Sequence, residues 1–220
     1  MNVNTGVFDR IGGGTLSKRG FYASLGLATL WGLVVTAFFA WKMAGMGFAP
    51  NVWHIIFLGI VIPIAGIFIA IKSDNAFISF VGYNMVTIPF GIILAPIVNT
   101  YSPNLIYNAF GATAMTTATM MIAGTAFPDF FSKIGGALLF SLVGLVVVRV
   151  VQVFFPGLMD FSIVDWIAVG IFSLYIGYDW YRASQVERTL NNAIDIAVDL
   201  YLDIVNLFLN ILRIMAAKDD

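Results

Sequence analysis

Six polar residues within one otherwise apolar stretch carry the chemistry of this chain. In LNNAIDIAVDLYLDIVNLFLNILRI, Leu190–Ile214, the residues Asn192, Asp195, Asp199, Asp203, Asn206 and Asn210 follow one another at intervals of 3, 4, 4, 3 and 4. On a helix turning about 100° per residue they project within an arc of about 80°. Nearly everything else in the stretch is aliphatic or aromatic. An aspartate at the centre of a membrane span costs about 2.5–3.5 kcal/mol on insertion scales, so the stripe must face protein, water or an ion. Two arrangements satisfy it. The helix lies on the membrane surface with its stripe in water, or it runs through a bundle and meets partners across a polar seam. Surface helices carry lysine and arginine on the polar face. This stripe is wholly acidic and amide, which favours the bundle.

A further carboxylate, Asp179, stands in IGYDWYR ahead of Arg182. Alone it reads as an interfacial residue. Opposite the stripe it becomes a switch: two adjacent carboxylates cannot both ionise cheaply, so they share a proton and one pKa rises. When both are ionised, the same oxygens are hard ligands suited to Ca²⁺. An acid of the stripe that faced Asp179 could therefore sense pH and bind a cation. There is no cysteine and one histidine, His54. No nucleophile, base and orienter can be assembled, so no enzyme and no resident cofactor are expected. Aspartyl intramembrane proteolysis is the one catalytic chemistry that two facing carboxylates would allow, and supporting groups are lacking.

The elements that must position these residues follow from composition. Of 220 residues, 60% are hydrophobic and 10% charged, and the mean hydropathy is +0.93. Soluble domains run about 45–50% apolar and about 25% charged, so lipid is the solvent of most of this chain. A net charge of −1 offers no basic surface for nucleic acid. A span needs about 20 apolar residues. The spacing predicts seven: 20–41, 52–71, 77–98, 105–127, 134–155, 162–181 and 190–215. Between Asn75 and Pro128 no Asp, Glu, Lys or Arg occurs, and the turn-rich NTYSPN at Asn99–Asn104 divides that run into two spans. Residues 1–19 read as a polar cytoplasmic tail, 20–215 as a single transmembrane domain, and 216–220 as a short tail. With the N-terminus inside, seven basic residues fall in cytoplasmic positions (Arg10, Lys18, Arg19, Lys72, Lys133, Arg182, Arg188) against three outside (Lys42, Arg213, Lys218). If the last segment did not cross, the balance would be nine to one, so that alternative stays open. Arg149 falls inside the fifth span, as a snorkelling residue or as a buried partner for an acid.

The ending, YDWYR at Tyr178–Arg182 followed by AIDIAVDLYLDIVNLFLNILRI at Ala193–Ile214, resembles the signature of the Bax inhibitor family, also called the transmembrane Bax inhibitor motif family. NAFGATAMTTATMMIAG at Asn108–Gly124 and DFFSKIGGALLFSLVGLVVVRVVQVFF at Asp129–Phe155 fit in the same order. The resemblance implies an all-α membrane fold with six helices wrapped around a central seventh, which would shelter the acidic stripe. For a prokaryotic-type member in a bacterial cytoplasmic membrane it implies a pH-sensitive Ca²⁺ leak channel, or a cation/proton exchanger, controlled by an aspartate pair. That pair maps onto Asp179 and Asp203, 24 residues apart with one on each helix, which the resemblance makes the pH sensor and cation gate; Asp195, Asp199 and Asn206 would then line an ion path, or Asp195 and Asp199 would be solvated at its inner mouth. The family pattern also places a basic residue in the second helix as a latch on the aspartates. No Arg or Lys lies between Val52 and Ile71 here; Lys72 and Arg149 are the substitutes. The alternative implied function is regulatory, a membrane protein that binds a partner such as a membrane protease, with residues 1–19 as its handle.

Overall fold

A computed structural model describes residues 14–155 and 161–219; most of the polar N-terminal tail, the segment 156–160 after the fifth span, and Asp220 lie outside them. Seven helices account for nearly all of the described residues: α1 Lys18–Gly45, α2 Val52–Lys72, α3 Ala76–Thr100, α4 Pro103–Ala126, α5 Pro128–Phe154, α6 Phe161–Gln185 and α7 Leu190–Asp219. Six are long and apolar enough to cross a membrane. The exception is α4, which is long enough at 24 residues but is diluted by Asn104, Asn108 and five threonines. The last helix continues to Asp219, through the segment read from the sequence as a tail. The chain forms two compact units: α1 to α3 with α7 as far as Tyr201, and α4 to α6 with α7 from Leu202.

In the first unit, close helix contacts are made by small residues. α1 buries a stripe of Phe21, Leu25, Thr29, Gly32, Thr36, Ala40 and Ala44, one residue every three or four, which is the seam of a helix against its neighbour. Gly91 of α3 meets that seam so closely that a Cβ there would stand 2.6 Å from the Thr36 carbonyl. Gly66 of α2 and Gly82 of α3 form a reciprocal pair, since a Cβ on either would lie 2.5 Å from the other's carbonyl oxygen. Small residues at such crossings let the backbones touch, which is how helices gain dispersion contact where lipid removes the hydrophobic drive. Asn51 caps α2 reciprocally with His54: its side chain accepts from the His54 N–H at 3.0 Å, and His54 Nδ1 accepts from the Asn51 N–H at 3.2 Å. His54 thus has a structural task. Proline shapes both helices of the hairpin. A π turn at Phe57–Val61 precedes Pro63, and α3 breaks at Leu94 before restarting through Pro96, as expected where a proline ring and a missing N–H interrupt the ladder.

In the second unit Gly124 of α4 abuts the Gly177 carbonyl of α6, and Gly135 of α5 lies against the Tyr178 ring. Trp180 Nε1 donates to Thr125 Oγ1 at 2.9 Å. The outer faces of both units expose large apolar side chains, among them Leu27, Trp31 and Phe38 on α1, Phe68 on α2, and Phe140, Val147 and Phe154 on α5. Faces of this kind, on helices of this length, contact the lipid bilayer; the chain is an integral membrane protein.

Candidate functional site

α7 is the most buried of the six candidate spans, and its acidic stripe is not bathed in water. Asp195 is 7% exposed and Asp203 8%, Asn192 and Asn210 are buried, and Asp199 and Asn206 are half-buried. That outcome opposes a surface helix with its polar face in solvent. Asp179 on α6 is buried too, at 3%. It accepts a hydrogen bond at 3.2 Å from Arg182 Nη1, one turn further along the same helix. Asp179 and Asp203 belong to the same compact unit, Asp195 and Asp199 to the other.

Each half of α7 is held by its own set of polar contacts. In the first unit, Asn191 Oδ1 accepts from Ser79 Oγ at 2.8 Å and its Nδ2 donates to the Ser73 carbonyl at 3.0 Å. The Asn192 side chain donates to the Glu187 carbonyl at 2.7 Å. Further along, the Tyr201 and Thr36 hydroxyls lie 2.6 Å apart, and Thr36 also donates to the Thr87 carbonyl at 3.0 Å. The Tyr201 ring meets Tyr83 edge-on with centroids 5.6 Å apart. In the second unit, Asn206 and Asn210 each return their Nδ2 to the carbonyl four residues back, at 2.8 and 2.7 Å. The contacts of Asn191 and Tyr201 reach neighbouring helices and fix the rotation of the first half of α7, whereas the Nδ2 bonds of Asn206 and Asn210 lie within the helix itself.

Arg149, read from the sequence as a snorkelling residue or as a buried partner for an acid, is partnered by an acid, Asp165, that the sequence reading did not single out. Its Nη2 binds Asp165 of α6 closely and donates to Asn210 Oδ1 at 2.8 Å, while Nη1 donates to Gln152 Oε1 at 3.1 Å. Arg213 of α7 joins the same acceptors, donating from Nε to Asp165 Oδ1 at 3.0 Å and from Nη2 to Asn210 Oδ1 at 2.7 Å. Asp165, 3% exposed, therefore binds two guanidiniums. A signal was present: Arg213 follows Asn210 by three residues and prolongs the stripe on the same face. Lys72, the other basic candidate, is exposed, with Nζ 5.9 Å from the Phe68 ring centre. Among the described residues, no three of His, Asp and Glu converge in a way that could hold a metal ion.

The model of the family described as inhibitor of apoptosis-promoting Bax1 matches residues 19–220. An uncharacterized protein of Borreliella burgdorferi is 28% identical over 92% of this chain and 94% of its own length. An uncharacterized membrane protein of Streptococcus pyogenes is 30% identical over 59% of each chain. An uncharacterized protein of Deinococcus radiodurans is 31% identical over 64% of this chain and 62% of its own. With nearly the whole membrane domain matched, and with a buried acidic seventh helix beside an aspartate-ended sixth, the chain belongs to the Bax inhibitor family.

Proposed function

We propose that this protein is a pH-sensitive leak pathway for Ca²⁺, or a cation/proton exchanger, gated by Asp179 and Asp203. The N-terminus lies inside a bacterial cytoplasmic membrane in this reading, as the distribution of basic residues favours. The observation that carries the proposal is the burial of two carboxylates on two adjacent apolar helices of one compact unit. Buried acids in a membrane span are costly and mark ion or proton pathways. At low pH the pair holds one or two protons, hydrogen bonding draws α6 and α7 together, and the path closes. At higher pH both ionise and repel, and the path opens to water and cations. Arg182, one turn from Asp179 and bound to it at 3.2 Å, supplies beside the pair the positive charge that the second helix lacks. Asp195 and Asp199 continue the acidic line along α7.

The test is Ca²⁺ entry into liposomes reconstituted with the full chain, measured across a pH series. Flux is expected to rise with pH in the wild type. Asp203→Asn should abolish most of that pH dependence, and Asp179→Asn should depress flux throughout. Equal flux from all three proteins at every pH defeats the proposal.

A further inference from the structure

The Arg149–Asp165–Arg213 cluster lies next to a feature that neither gating nor helix packing accounts for. Directly below it, α5 and α6 leave an apolar groove of about 470 Å³, lined by Leu145 and Val148 on one side and by Ile163, Val164, Ile167 and Ile171 on the other. Its α5 wall begins at Ser141 and Gly144 and ends at Val148, beside Arg149. At 1.5 Å per residue that wall is about 10 Å long, enough for the upper part of an acyl chain. A Cβ on Gly144 would meet nothing within 4 Å, so the groove is open there.

The cluster above it carries an excess of positive charge. Two guanidiniums share one carboxylate, with side chains 29% and 41% exposed against 5% for Asp165. Among the described residues, neither Arg149 Nε nor Arg213 Nη1 makes a hydrogen bond in the cluster, and Gln152 Nε2, buried beside Arg149, finds no hydrogen-bond partner. Lys218 adds a cation one turn beyond Arg213, its Nζ 5.8 Å from the centre of the exposed Trp166 ring. Planar guanidiniums with spare donors suit a phosphate diester, and basic residues gathered between membrane helices attract anionic lipid head groups.

We propose that this is a binding site for one anionic phospholipid, its phosphate at Arg149 and Arg213 and an acyl chain between α5 and α6. Charge complementarity names the headgroup, and the groove below names a lipid rather than a free anion.

The test uses the full chain purified in detergent and titrated with dioleoyl phosphatidylglycerol or dioleoyl phosphatidylcholine, with adducts read by native mass spectrometry. Phosphatidylglycerol should bind at least about fivefold tighter, the worth of one basic residue at a membrane surface. Arg213→Gln should lose about that factor. Gly144→Phe fills the groove without touching the charges and should weaken phosphatidylglycerol binding by a similar factor. Lys133→Gln, at the opposite end of α5, should leave binding unchanged. Three results overturn the proposal: equal binding of the two lipids, wild-type binding by Gly144→Phe, or displacement of the lipid by excess inorganic phosphate equally well in wild type and Gly144→Phe. The last would mark a site for a small anion alone.

Discussion

Replacing Gly82 with alanine places a methyl group 2.5 Å from the Gly66 carbonyl oxygen and 2.7 Å from the Ala70 nitrogen. Both obstacles are backbone, so no side chain can turn aside. Ordinary van der Waals contact begins at 3.4 Å, so α2 and α3 must separate locally by about 0.9 Å. Overpacking of this kind costs about 1–3 kcal/mol, against which alanine recovers about 0.5–1 kcal/mol of helix propensity over glycine. The midpoints of these ranges leave a net loss of about 1.3 kcal/mol. For a chain of this size each kcal/mol moves the unfolding midpoint by about 2–4 °C, so Gly82→Ala should unfold about 3–5 °C lower. Gly66→Ala should behave alike, because the contact is reciprocal. The double variant should lose less than the sum, since one separation relieves both clashes. Gly111→Ala and Gly136→Ala serve as controls, because a Cβ at either meets nothing within 4 Å, and they should be neutral or slightly stabilised. The assay is tryptophan-fluorescence thermal unfolding of the purified chain in detergent. If Gly82→Ala melts with the two controls, the close approach of α2 and α3 is not what holds the hairpin, and the reasoning fails.

Asp165→Ala strips both arginines of their shared acceptor. A fully buried pair broken this way costs about 3–5 kcal/mol, but the guanidiniums keep partial access to solvent, and screening reduces this to about 2 kcal/mol. Asp165→Asn, which keeps an acceptor oxygen, should lose about half as much in the same melt. Asn191→Ala removes the bridge from α7 to Ser73 and Ser79; at about 0.5–1.5 kcal/mol per hydrogen bond the loss should be about 1–3 kcal/mol. Hydrogen exchange should then rise in the first turns of α7 more than in its C-terminal half.

The helix count and the principal breaks were legible because each rests on local chemistry. Charges at Lys72 and Asp74 and the NTYSPN turn interrupt apolar runs of span length, and no distant residue can alter that. The narrow arc of Asp195, Asp199 and Asp203 was equally legible, since helical periodicity alone sets the face a residue occupies. Its burial followed from the cost of leaving carboxylates against lipid. Only the tertiary structure decided which partners those faces meet. Arg149 and Asp165 lie 16 residues apart, Arg149 and Asn210 61 apart, and periodicity within one helix says nothing about the rotation of its neighbours. For the same reason α1, whose composition is nearly uniform around its axis, showed no seam until Gly32, Thr36 and Ala40 were seen against other helices. The groove between α5 and α6 is likewise a property of two surfaces at once: the small residue at Gly144 is visible in the sequence, but the space beside it exists only once a second helix fails to fill it.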